Sequence, residues 1–77
     1  MKIQVLGTGC AKCVKLTHNA EEAVRQSGVS AEVEKVTDLK KIMGYGVMVT
    51  PGFVIDGQVK SAGKVLSVDE IRKLLEA

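Results

Sequence analysis

Only two side chains in this sequence combine strong nucleophilicity with reversible redox chemistry: Cys10 and Cys13, within Gly7-Thr8-Gly9-Cys10-Ala11-Lys12-Cys13. Two residues separate them, and the chain has no other cysteine. Thiols at that spacing can staple a domain, hold a soft metal ion or exchange electrons through a disulfide. A staple is the weakest option, because closing so short a loop contributes only about 2 kcal/mol, against about 3 kcal/mol for a fifteen-residue loop. Two thiolates suffice for Cu(I), whereas tetrahedral zinc wants four ligands. His18 is the other soft donor nearby. At about 100° per residue it falls roughly 140° around a helix from Cys13 and faces away. A zinc ion held by four thiolates, two from each of two chains, is the remaining metal option.

Disulfide exchange needs two unlike sulfurs, and the flanking sequence makes them unlike. Residues Lys2 to Leu6 alternate polar and apolar and stop at Gly7, as a strand does. From Ala11 to Ser27 the period becomes helical. Cys13, Leu16, Ala20, Ala23, Val24 and Ser27 share one face, with Lys12, Lys15, Asn19, Glu22 and Gln26 mostly opposite. Cys10 therefore falls at a helix start, where unpaired N–H groups and the helix dipole favour negative charge. Lys12 and Lys15 add positive charge, and no acid occurs before Glu21. Such settings lower a thiol pKa from about 8.5 into the range of about 3.5–7.5. A value near 7 raises the thiolate fraction at neutral pH from about 3% to about half. Cys10 is thus assigned as nucleophile and Lys12 as a tuning charge. Cys13 heads the apolar face and is the buried thiol that resolves a mixed disulfide.

The other elements follow from local signals. Gly28 sits where a left-handed helix cap is expected. Ala31 to Val36 alternates as a second strand. Thr37 and Asp38 can cap a short helix through about Met43, ended by Gly44 and Gly46. Asp56-Gly57 between Phe53–Ile55 and Gln58–Lys60 predicts a hairpin turn with positive φ. Ser67 and Glu70 form a capping box for a last helix, whose inward stripe is Val68, Ile71, Leu74 and Leu75. The order is β-α-β-α-β-β-α. It predicts one α/β domain over residues 1–77, a four-stranded mixed sheet flanked by three helices with its first two strands parallel. Copper-carrier domains of the heavy-metal-associated type also set a cysteine pair between strand and helix. Their order is βαββαβ, commonly with Met two residues before the first cysteine, where this chain has Thr8.

Composition narrows the partners. A net charge of +2, 45% hydrophobic residues and no long apolar run exclude disorder and a membrane span. Only Tyr45 and Phe53 could stack on bases, which argues against nucleic acid. The start of the chain lacks the apolar stretch of about 7–15 residues that an export signal needs. A cytosolic protein is expected, and there a close cysteine pair is more often catalytic or metal-binding than structural.

With "TGCAKC" and "VTPGFVIDGQVKSAGK" both present, residues 2 to 76 resemble the small thioredoxin-like redox-active disulfide proteins of archaea and bacteria. These are close in size to glutaredoxins. The resemblance implies a thioredoxin-like fold and a monomeric thiol–disulfide oxidoreductase that needs no cofactor. Its partners would be disulfide-containing proteins and a thioredoxin-reductase-like or small-thiol electron donor, with no nucleic acid and no membrane. The resemblance also maps Thr50 and Pro51 onto the residue before a cis proline and the proline itself. In that family they lie beside the nucleophilic sulfur and position an extended substrate.

The chain departs from the common members in several places. Gly9 stands where thioredoxins have Trp, and Ala11-Lys12 replaces both the Gly-Pro of thioredoxins and the Pro-Tyr of glutaredoxins. The first strand offers Lys2 and Gln4 but no acid to accept a proton. These departures motivate a second hypothesis, a non-catalytic redox-sensing or metal-binding module using the same pair. Four further positions carry paired expectations. Tyr45 borders the dithiol or simply packs; Met43 and Met48 are core or rim; Val14 docks a partner or is incidentally exposed. Gly63 lets the chain turn near the active-site end or is an ordinary loop glycine.

Overall fold

The alternation in residues 2–6 becomes β1 (Lys2–Leu6), a central strand of a four-stranded sheet. The computed structural model describes residues 1–9 and 11–76; Cys10 and Ala77 lie outside the described residues. After β1 come α1 (Ala11–Ser27), β2 (Glu32–Val36), α2 (Leu39–Gly44), β3 (Gly52–Ile55), β4 (Gln58–Ala62) and α3 (Val68–Glu76). The expected order of elements is thus observed. Across the sheet the strands run β2-β1-β3-β4. β1 is parallel to β2 and antiparallel to β3, and β3 is antiparallel to β4.

Because strand side chains alternate between faces, the two central strands feed two separate cores. On one face Ile3, Val5, Phe53 and Ile55 meet Leu16, Ala20 and Ala23 of α1, Leu66, and Ile71 and Leu75 of α3. On the other face Leu6, Val36 and Val54 meet Ile42 of α2 and Val47, with Tyr45 packed against them. All four residues of β3 are buried, as expected of a short apolar run covered on both sides. In α3, Ile71 and Leu75 are buried while Val68 and Leu74 are half-buried, so the predicted stripe faces inward. Among the described residues no helix is long and apolar enough to cross a membrane.

Caps and turns follow the chemistry of their residues. Asp38 caps α2, its Oδ1 accepting from the Lys40 N–H at 2.9 Å, and Thr37 does not share this role. Gly28 has φ +72° and donates to the Val24 carbonyl at 3.1 Å, the expected left-handed cap. Asp56 and Gly57 have φ values of +48° and +82°, as a two-residue hairpin turn requires. Asp56 also accepts from the Lys2 N–H through Oδ1 at 2.8 Å, tying the turn to the start of β1. The hairpin is longer than expected: Gly52 pairs with Ala62, and a register irregularity between Phe53 and Val54 accommodates the extra length.

At the start of α3 the capping box closes in both directions. Glu70 N–H donates to Ser67 Oγ and Ser67 N–H to Glu70 Oε1, each at 3.1 Å. The hydrogen bond from Lys64, followed by that from the Ser67 backbone, holds the Glu70 carboxyl down at about 2.

Candidate active site

Strand directions decide which residues meet. β1 and β2 are parallel, so both end at the same edge, at Leu6 and Val36. β3 begins there, with Gly52 opposite Leu6, and β4 ends there, with Ala62 opposite Gly52. Cys13, the loop carrying Thr50 and Pro51, and Gly63 therefore converge on one end of the sheet. The nucleophile assignment falls on Cys10, which lies outside the described residues. Lys12 is exposed in the first turn of α1, and that turn contains no acid.

Cys13 lies in the same turn and is only 5% exposed, as its place on the apolar face predicts. Its closest support comes from a residue without a side chain. A Cβ on Gly7 would overlap Cys13 Sγ, lie 3.1 Å from Cys13 Cβ and 4.0 Å from Thr50 Cβ. Gly7 thus lies between the buried sulfur and the proline loop, held by its N–H donating to the Val36 carbonyl at 2.9 Å. The Thr50-Pro51 peptide bond is cis, Pro51 is buried and Thr50 half-buried. Gly63, with φ +75°, donates to the Pro51 carbonyl at 2.8 Å. A Cβ there would come within 2.7 Å of Val49 Cγ1, so a turn without a side chain braces the loop.

A cavity of about 50 Å³ opens beside Cys13, walled by Val5 and Val14 on its apolar side and by Thr17, Lys35 and Thr37 on its polar side. Among the described residues no carboxylate lines it, in keeping with the lack of an acid in β1. Thr17 is a buried polar residue and donates through Oγ1 to the Cys13 carbonyl at 2.9 Å. Sequence reasoning missed four of these neighbours. Thr17 had a signal, standing four residues after Cys13 on the same helical face. Gly7 was legible only as the end of a strand. Lys35 and Thr37 carry no local signal, since the parallel pairing of β2 with β1 brings them here.

The lesser expectations divide. Tyr45 packs against the smaller core and donates its hydroxyl to Gln4 Oε1 at 2.6 Å, which is the packing alternative. Gln4 Nε2 in turn donates to Glu34 Oε1 at 3.2 Å, and Lys2 Nζ lies 3.3 Å from Glu34 Oε2. The Gln4 hydrogen bond and then Lys2 hold the Glu34 carboxyl below its ordinary value. The polar residues of β1 are therefore engaged in this surface network. Met43 and Met48 are exposed, so both belong to the rim and not the core. His18 is exposed on α1. Among the described residues no cluster of three or more His, Cys, Asp or Glu could hold a metal ion.

A four-stranded mixed sheet with three helices, a buried cysteine opening α1 and a cis-proline loop across Gly7 from it make up a thioredoxin-like α/β fold. The family model described as thioredoxin domain matches residues 1–76. A thioredoxin of Methanothermobacter thermautotrophicus is 47% identical over 75 residues, covering 97% of each chain. A thioredoxin of Methanocaldococcus jannaschii is 41% identical over 75 residues, covering 97% of this chain and 86% of its own. The chain belongs to the thioredoxin family, and its general activity is thiol–disulfide oxidoreduction.

Proposed function

We propose that Cys10 and Cys13 are the redox couple and that the chain reduces or exchanges disulfides in partner proteins or in the oxidised forms of small thiols. The Cys10 thiolate attacks one sulfur of the partner disulfide, making a mixed disulfide and releasing the other sulfur as a thiolate. Cys13 then gives up its proton and attacks the Cys10 sulfur. The Cys10–Cys13 disulfide forms, the second partner thiol leaves, and two electrons have passed to the partner. A thioredoxin-reductase-like protein or a small-thiol donor returns the electrons. Lys12 favours the thiolate by its charge. The Thr50 backbone pairs with an extended stretch of the substrate, and Pro51 holds that loop without an N–H of its own. The activity belongs to a monomer in the cytoplasm, where donors keep such pairs reduced.

One observation carries this assignment: Cys13 is buried at the head of α1, against Gly7 and across from Thr50. A shielded second thiol beside a substrate loop suits the resolving role. Replacing Cys13 by Ser should accumulate a mixed disulfide at residue 10, detected by mass spectrometry of the trapped adduct. Trapping only at residue 13, in the Cys10→Ser variant, would exchange the two roles. Insulin reduction and metal analysis on one sample test the alternative of a redox-sensing or metal-binding module. Stoichiometric zinc or copper without any acceleration would favour that alternative. A couple near about −270 mV matches thioredoxins, and one at about −200 to −230 mV matches glutaredoxins.

A further inference from the structure

Charge is divided unevenly along the strand direction. Residues 7–9, 11–17, 35–40, 46–52 and 62–64 gather at the end of the sheet where β1 and β2 finish, and the ion pair of Lys64 brings Glu70 beside them. With Glu70 they hold five lysines and two acids, Asp38 and Glu70, a balance of +3; the rest of the chain holds six basic and seven acidic residues, a balance of −1. Part of the positive charge is already engaged. Lys64 pairs with Glu70 at 2.8 Å. Lys12, Lys15, Lys35 and Lys40 enter no ion pair among the described residues.

The same end exposes apolar side chains. Val14 is 55% exposed on the lip of the Cys13 cavity, and Met48 and Val49, at 85% and 59%, lead into Thr50. An apolar centre with a cationic rim selects a partner with the opposite rim. Complementary potentials speed encounter, and like charges reject the wrong partner.

We propose that this end recognises disulfide proteins by Asp and Glu residues flanking the target disulfide. Lys15, Lys35 and Lys40 form the rim, and Val14, Met48 and Val49 the contact floor. The proposal rests on the redox function assigned above, and it adds to that function a class of substrate. A nucleic-acid surface is disfavoured because no aromatic side chain lies among the lysines: Phe53 is buried, and Tyr45 packs against the smaller core.

Two peptide pairs test it. The first pair shares one disulfide and differs in its flanks, acidic or lysine-rich; the second repeats both with a thioether that cannot be reduced. Turnover (kcat/KM) is measured on the first pair and fluorescence anisotropy on the second. Both are run at about 0.01 M salt, where charges act over about 30 Å, and at about 1 M, where they act over about 3 Å. Exposed charge pairs contribute about 1.4- to 5-fold each. The acidic peptides should therefore be favoured by at least about 3-fold at low salt, with the preference collapsing at high salt. The Lys15→Gln/Lys40→Gln double variant should lower the acidic-to-basic ratio by about 2-fold or more.

Equal treatment of the two flanks at low salt would overturn the proposal. So would displacement of the acidic thioether peptide by a single-stranded oligonucleotide at matched charge, which would mark a general polyanion surface. Preferential binding of the acidic thioether peptide without turnover of any disulfide would sustain the recognition surface and refute the redox assignment.

Discussion

Replacing Gly7 by Ala adds one methyl group where the fold has left no room for it. The new Cβ would overlap Cys13 Sγ and sit 3.1 Å from Cys13 Cβ. The backbone on both sides is held, Gly7 by its bond to the Val36 carbonyl and Cys13 by α1, so Sγ must turn aside within a buried site. Overpacking of this kind costs about 1–3 kcal/mol, and the rigidity on both sides places Gly7→Ala in the upper half of that range. At about 4–8 °C per kcal/mol for a domain of this size, the Tm should fall by about 10–20 °C.

Gly44→Ala is the matched control. Gly44 closes α2 with no atom within 4 Å of an added Cβ and with φ outside the left-handed region. There the same chemical change should be neutral or stabilise by up to about 1 kcal/mol. The Gly7 variant also displaces the Cys13 sulfur, to which the proposed function gives the resolving role. A misplacement of about 1 Å can cost on the order of 100-fold, so decay of the mixed disulfide should slow by about 10- to 100-fold in rapid-quench experiments. A Gly7→Ala protein within about 0.5 kcal/mol of wild type that resolves its mixed disulfide at the normal rate would refute this account of Cys13.

Two further expectations concern electrostatics and packing away from the sulfurs. Glu70 is held at about 2, below its ordinary value of 4.5, by Lys64 first and then by Ser67. A depressed carboxyl contributes stability that is present above its ordinary range and lost as pH falls through the folded value. The gap in urea midpoint between wild type and Glu70→Gln should therefore be widest above pH ~5 and close towards pH ~2; a gap independent of pH would contradict the pairing. Tyr45→Phe removes the donor to Gln4 Oε1 and should cost about 0.5–1.5 kcal/mol, with disulfide reduction unchanged. Lost turnover at unaltered stability would instead put Tyr45 in the reaction.

Much of this fold was legible because its boundary residues act locally. The Gly7 stop, the period change at Ala11 and the cap at Gly28 delimit β1 and α1 as observed, and Ser67 with Glu70 marks α3. Errors arose where pairing overrode local signals. β4 runs on to Ala62 because Gly52 offers it a partner, and β2 starts at Glu32 because register with Lys2 begins there. Thr17 was legible from its place one helical turn after Cys13 on the apolar face, where a buried hydroxyl can bond the carbonyl four residues back. The burial of Cys13 followed from helical periodicity, and the cis bond at Pro51 from resemblance. The tight fit of Gly7 to Cys13, and the arrival of Lys35 and Thr37, depend on tertiary packing and strand pairing that local patterns do not report.

The unequal covering of the sheet has a mechanical consequence. Among the described residues, the side bearing α1 and α3 is secured by ten buried residues, the side bearing α2 by five, among them Val47. Local opening draws on the least secured layer first. The stretch that carries Thr50 is anchored through Val47 to the thinner layer, while the helix that carries Cys13 belongs to the thicker one. Under the proposed function the molecule would work as a stiff electrode facing a compliant clamp: residues 45–50 would yield to substrates of different shape while the buried sulfur keeps its place.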